Sequence, residues 1–528
     1  MTQGVFVRAS NPLPWDFRSC EEWLGRAALS DAAQACRTFI TLLEELENAP
    51  PRPAPFLQIL ERLREPIIVA QAGQMKGYAG KPLPLGQAEN AAFTRSCDLW
   101  TALLHAYRGL LHAEMRSAST DGAPTAALLL VRSIQCAAEL IDACLAARNK
   151  VPDDLWRGLH ETYAIAQSRA LADVPVPDSG ARAPAESSCT AAYVRPLLHA
   201  LANPYGQQPR ELAWTRRWTH HWAHKLRIVP ATGQGGAWVV DLQGCEPARW
   251  ASAGPETGSL RFIDVGDLLR SLRRRLRKIG EGVAPAELGL GRDCTEPATG
   301  RLLGELFAAW GEPPRARQFP RRASASAAML VSGFPDIHAA IGGRFLPDER
   351  HPWDYGRREA ENIHVFQRSL RTAASMPRQP AIEQWQTLDE SANGFRLQRT
   401  GPGVRIAHRQ LIALRPHGAR HYILCEVRWL AQAADQSIEI GAKALPGLAH
   451  AVDVRVDGAG PARKAPFTQA FMLPIAAGHP QTVVLPAGMH QNARVLELRL
   501  EGQLLRIRLT VALGSGWDYD RAEFEMEA

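Results

Sequence analysis

The sequence predicts an α+β multidomain protein: an N-terminal all-α helical array followed by a C-terminal antiparallel β-barrel with extra strands. Three observations carry this. From about residue 18 to 228, apolar residues recur every three or four positions, the spacing of one buried helix face. Beyond residue 320 the pattern becomes short, turn-bounded runs with alternating apolar residues, as in half-buried strands. The length of 528 residues also exceeds what one hydrophobic core ordinarily organises.

With 46% hydrophobic and 22% charged residues, the composition is globular and excludes wholesale disorder or a collagen-like repeat. There is no run of about 18 uncharged apolar residues, and the start lacks the apolar core of a secretory signal. A soluble, cytoplasmic protein without a transmembrane segment is expected. The net charge of +7, from 61 cationic and 54 anionic residues, makes only a weak global field, so composition does not point to nucleic acid. The nine cysteines are scattered and form no C-x-x-C pair, which fits buried reduced thiols better than disulfides or a zinc site.

In order along the chain, a first helix is expected from the shared face of Trp23, Leu24, Ala32, Cys36, Phe39, Ile40 and Leu43, closed by PPRPAP at 50–55. Further helices are expected near 55–71, 86–117, 123–148, 153–172, 189–203 and 208–227, so residues 1–228 form a helical array. Residues 229–313 read as a mixed α/β connection: AWVVDL and RFID are strand-like, an arginine-rich helix follows, and another closes at GEPPRA. Residues 314–455 read as the barrel, interrupted by helix-compatible sequence at about 334–378, and 456–528 as a C-terminal β extension.

Two pieces of the β half belong together. Arg317-x-x-x-Arg321, with Arg322 adjacent, precedes a strand, and Asp389-x-Ser391-x-x-Gly394 falls at a strand-to-strand turn. In this order, and followed by the V-R-W and I-G elements of CEVRWLAQAADQSIEIGAKAL, the motifs resemble the PilZ family of small β-barrels that bind bacterial cyclic di-GMP. The resemblance implies that Arg317 and Arg321, with Arg322, clamp phosphate and guanine, and that Asp389, Ser391 and Gly394 form the base-recognition turn. The simple form of the family holds its motifs closer together, so 334–378 reads as an insertion between the first two strands. A first strand beginning nearer 378 would instead make Arg368, Arg371 and Arg378 the candidates.

The chemistry fits those residue types. A cyclic dinucleotide presents two phosphodiesters and two guanines, and a planar guanidinium can pair with phosphate and also engage a purine. A turn carboxylate suits the N1–H and N2–H donors of guanine, and a hydroxyl serves an exocyclic group or phosphate. Glycine at 394 is expected to supply a positive φ and a close approach to the backbone.

Other features have plainer readings. Trp214, Trp218 and Trp222 repeat every four residues and read as a packing stripe, and His220 and His224 lack the carboxylate that would complete a metal set. The arginine-rich helix at 268–279 reads as a solvated amphipathic face, with nucleic acid or anionic lipid as the alternative. GQGG at 233–236 precedes a strand and not a helix, so it reads as a linker. No hydrolase, P-loop, cyclase or phosphodiesterase signature is present, and neither enzyme activity nor a cofactor or metal is expected. The expected function is a cyclic di-GMP receptor whose helical half contacts a protein partner. The alternative is a scaffold or assembly protein that keeps the barrel and binds no nucleotide.

Overall fold

The computed structural model describes residues 13–116, 123–178, 186–230, 237–251, 258–314, 319–342, 380–457, 466–476, 478–500 and 502–527. The chain divides into two compact units, one of Met1–Lys81 with Leu85–Ala316, the other of Pro82–Pro84 with Arg317–Ala528.

The first unit holds α1 (Phe17–Arg26), α2 (Ala32–Asn48), α3 (Pro53–Tyr78), α4 (Gln87–Arg116), α5 (Ala123–Ala146), α6 (Asp153–Ser168), a two-residue pair β1 (Val176–Pro177) and β2 (Glu186–Ser187), α7 (Cys189–Leu201) and α8 (Pro209–Trp222). The expected first helix is two helices. Asp31 ends the continuity by accepting from the Gln34 N–H at 2.7 Å, which caps α2, and α1 has its own cap at Asp16. The two still share a core, with Trp23 and Phe39 ring centroids 6.1 Å apart. Helix α5 is buried nearly all round, which explains its mostly apolar sequence, and its buried charges are paired. All nine cysteines are free thiols, most of them buried.

Two features fasten α8 to its neighbours. Trp214, Trp218 and Trp222 stack along α8 at 6.0 and 5.7 Å, all buried, so the stripe is core. Trp214 Nε1 donates to Asp293 Oδ2 at 2.7 Å and Trp218 Nε1 to the Leu290 carbonyl at 2.8 Å, so the ladder's polar edges are paired as well. Behind it, Asp142 of α5 shares a 2.7 Å hydrogen bond with His199 and accepts from Arg216 Nε at 3.2 Å, and Glu139 accepts from Arg195 at 2.8 Å. Burial works to raise the Asp142 carboxyl, but Arg195, His199 and Arg216 outweigh it and hold the group well below the carboxylate range. His220 faces Arg195, and burial together with that cation pushes the ring down to about 4, so it packs as a neutral imidazole.

The unit continues into a four-stranded antiparallel sheet of β3 (Arg227–Pro230), β4 (Ala237–Asp241), β5 (Arg249–Ala251) and β6 (Leu260–Asp264), in the order β3-β6-β4-β5, then α9 (Gly266–Gly280) and α10 (Ala298–Gly311). Helix α9 buries Leu268 and Leu272, while Arg270, Arg273, Arg274, Arg277 and Lys278 are exposed. Arg273 lies over the Phe307 ring of α10, so part of the cationic face packs on its neighbour.

The second unit contains two barrels. The first has β7 (Arg322–Ala323), β8 (Ala327–Ser332), β9 (Ile382–Ser391), β10 (Gly394–Arg399), β11 (Leu411–Arg415), β12 (Ile423–Gln432) and β13 (Ile438–Ala444), with the short α11 (Phe334–Ala340) after β8. Strand β9 pairs with both β8 and β10, so β8-β9-β10-β13-β12-β11 closes into a ring, and β7 adds to β9. The first ring strand is therefore the one that follows Arg321. Arg368, Arg371 and Arg378 lie outside the described residues, as does most of the expected insertion. The extra strands do not simply extend this ring. They are β14 (His450–Val456), β15 (Thr468–Leu473), β16 (Thr482–Pro486), β17 (Val495–Leu500), β18 (Gln503–Ser515) and β19 (Tyr519–Met526), and they close a barrel of their own in the order β14-β15-β16-β19-β18-β17. Val331, Leu411 and Leu424 of the first barrel pack with Phe471, Leu473 and Tyr519 of the second.

Burial beside this second barrel has a pH signature. It pushes the Asp453 carboxyl up to about 6 against the pull of Arg499, with His338 Nε2 3.7 Å away. An acid raised in the folded state contributes most below its unfolded pKa, and that contribution is lost as pH rises through 6. Asp453→Asn is therefore expected to raise the melting temperature of the chain by a few degrees at about pH 7.5 and by much less at about pH 4.5. Equal shifts at both values would refute the assignment.

Candidate functional site

The ladder between β7 and β9 builds the site. Arg322 stands opposite Glu390 and Ala323 opposite Asp389, which delivers the arginine-bearing segment onto the acidic strand although about 65 residues separate them. Arg321, just before β7, donates from Nη1 to Asp389 Oδ1. The two side chains are 23% and 20% exposed, so the pair is partly desolvated yet reachable from solvent. The Arg321 guanidinium has further donors beyond the one given to Asp389.

Strands β9 and β10 form a hairpin whose loop is Ala392–Asn393, with Ser391 opposite Gly394 and Asp389 opposite Arg396. Leu388 is an extra residue on β9, a bulge that lies immediately before Asp389. Asp389 and Ser391 are two residues apart on one strand, and so are Gly394 and Arg396 on the other; side chains alternate, so all four lie on one face. The Ser391 hydroxyl donates to the Gly394 carbonyl at 3.2 Å and so clamps the hairpin mouth.

Gly394 departs from its expected role. It begins a strand and its φ is not positive, so no left-handed turn requires glycine here. An added Cβ would lie 3.4 Å from the Ala442 carbonyl, 3.6 Å from Ser391 Oγ and 3.8 Å from Arg321 Nη2, all ordinary contact distances, so crowding does not require glycine either. The structure thus brings Arg321, Asp389, Ser391 and Gly394 together. Arg322 pairs with Glu390, so by the same alternation its exposed side chain leaves the opposite face of the sheet, and Arg317 is outside the described residues.

The site continues beyond the residues named from sequence. Arg396 pairs in register with Gly441, and Gly441 with Trp429, so Asp389, Arg396, Gly441 and Trp429 form one row across β9, β10, β13 and β12. Arg428 is an extra residue on β12, and this bulge sets Trp429 opposite Gly441. A Cβ on Gly441 would be built into the Trp429 indole, which explains physically why the V-R-W and I-G elements occur together. Arg396 in turn donates from Nη2 to Glu439 at 2.7 Å. Reasoning from the sequence missed Arg396 and Glu439 as site residues. The alternation signal was available for Arg396, two residues past Gly394, whereas Glu439 needed the β10–β13 register.

Comparison with known proteins agrees with this architecture. Residues 18–232 match the family described as "Cyclic-di-GMP receptor FimW, N-terminal domain", and residues 454–526 match the "FimW C-terminal beta-barrel domain". The likeness thus extends into the helical part, beyond the C-terminal half to which the sequence motifs confined it. The motif-bearing barrel lies between the two matched stretches. A curated relative, the cyclic-di-GMP receptor FimW of Pseudomonas aeruginosa, is 22% identical over 551 aligned residues, covering 95% of this chain and 89% of that protein. The helices are thus similar to the first of these domains and the last barrel to the second, and the curated relative aligns across both.

Proposed function

We propose that the chain is a cyclic di-GMP receptor whose first barrel binds the dinucleotide at Arg321, Asp389, Ser391 and Gly394, with Arg317 and Arg322 the other arginines of the motif. The observation that carries this reading is the β7–β9 ladder, which sets a guanidinium from one end of the barrel directly on the carboxylate of a distant hairpin. Arg321 then offers its remaining donors to a phosphodiester or a purine edge, and Asp389 offers an acceptor for the N1–H and N2–H groups of guanine. No group of three or more His, Cys, Asp or Glu side chains suited to a metal occurs among the described residues, and binding in this reading needs none.

The output of such a receptor is linkage. The ligand changes what the protein engages only by contacting one conformational state better than another. In this reading the helical unit contacts a protein partner, and the barrel supplies the ligand dependence. No helix among the described residues is long and apolar enough to cross a membrane.

Calorimetric titration of the full chain with cyclic di-GMP tests the proposal. Saturable binding is expected, with Arg321→Ala and Asp389→Ala each weakening it about ten-fold or more, the usual scale for a charge-assisted contact. Absence of binding, or variants that bind as tightly as the native chain, would leave only the scaffold reading.

A further inference from the structure

We propose that Arg396 reads guanine in this site, held in place by Glu439, and makes the site select guanine over adenine. The inference rests on the dinucleotide reading above and goes beyond it by assigning base specificity to a residue outside the two motifs.

Arg396 of β10 stands opposite Asp389 of β9, so both side chains leave the barrel on the same face. Asp389 Oδ1 is engaged by Arg321, whereas Oδ2 lies 4.0 Å from Arg396 Nη1, beyond hydrogen-bonding distance. Arg396 does not close that gap because it is held from its other side: Nε and Nη2 both donate to Glu439 Oε2, at 3.1 and 2.7 Å. The Glu439 side chain is 7% exposed and that of Arg396 39%. A buried carboxylate therefore anchors a guanidinium whose remaining edge faces outward beside Asp389.

The result is an acceptor, Asp389 Oδ2, next to a donor, Arg396 Nη1. The Watson–Crick edge of guanine carries an N1–H donor next to the O6 acceptor. Adenine carries the reverse at the corresponding places, an N1 acceptor next to the N6 amino donor. Guanine satisfies both protein groups, whereas adenine sets acceptor against acceptor and donor against donor. Specificity then comes from repulsion and unpaired polar groups as much as from attraction. Glu439 is a positioning residue: without its charge Arg396 is free to close on Asp389 Oδ2 and remove the acceptor.

The test is titration of the full chain with cyclic di-GMP and with cyclic di-AMP, with melting temperatures of the unliganded variants as a check on folding. Arg396→Met is expected to weaken cyclic di-GMP binding about ten-fold or more while changing cyclic di-AMP binding by less than about two-fold, so the preference collapses. If that variant melts early, Arg396→Lys, which keeps the charge and loses the planar fork, is read in the same way. Glu439→Gln should shift the preference in the same direction, and the double variant should bind no more weakly than Arg396→Met alone, because both changes act through one guanidinium. If the native chain binds cyclic di-GMP and Arg396→Met keeps the native preference, this inference fails while the receptor reading stands. If the native chain binds neither nucleotide, both fail.

Discussion

Asp142→Ala is expected to destabilise the helical unit by about 3–5 kcal/mol, the scale for removing one partner from a buried ionic cluster. The Asp142 side chain is 1% exposed, as buried as its partner His199, and Arg195 and Arg216 approach the same carboxylate at 3.4 and 3.2 Å. Alanine would leave Glu139 as the nearest anion for two arginines that cannot shed their charge. The loss spreads over three elements, because Asp142 belongs to α5, Arg195 and His199 to α7, and Arg216 to α8. Asp142→Asn keeps an acceptor and should cost less than alanine. Urea denaturation followed by helical circular dichroism measures both. A loss below about 1 kcal/mol for Asp142→Ala would show that the cluster does not hold these helices together.

Gly441→Val is expected to cost the first barrel about 3 kcal/mol or more, and Gly441→Ala about 1–3 kcal/mol. The cause is not backbone strain, since Gly441 lies in a strand without a positive φ; the Trp429 indole occupies the place of a side chain. A larger residue must rotate that ring off the strand or push β12 and β13 apart, and these are paired along their length. The prediction is coupled: in a Trp429→Leu background, Gly441→Ala should cost much less, because the obstructing ring is gone. Additive losses in the double variant, read from denaturant midpoints, would show that the glycine is required for another reason. The row that these residues share with Arg396 and Asp389 adds a consequence, since displacing the indole should also disturb ligand binding.

The helical part was legible because its apolar spacing has only one economical interpretation. α4 through α8 fall close to their expected ranges, since a helix that packs on one face records its period in the chain. The break between α1 and α2 was hidden because one apolar stripe continues through it, although Ser30 and Asp31 carried a capping signal. The closure of the last six strands was not legible either. Strand patterns report which face is buried, and they are silent on which edges meet.

The site divides in the same way. Sequence by itself determined the helical and β halves, the free thiols and the packing role of the tryptophan stripe, while the meeting of an arginine segment with an acid-and-hydroxyl hairpin was only implied by the PilZ resemblance. These follow from local period, composition and motif order. Tertiary structure decided that Arg321 meets Asp389, that Gly394 begins a strand and not a left-handed turn, and that Arg396 stands between Asp389 and Glu439. Those facts depend on register between strands distant in the chain, and hydrogen-bonded register is a property of two segments together that neither one encodes alone.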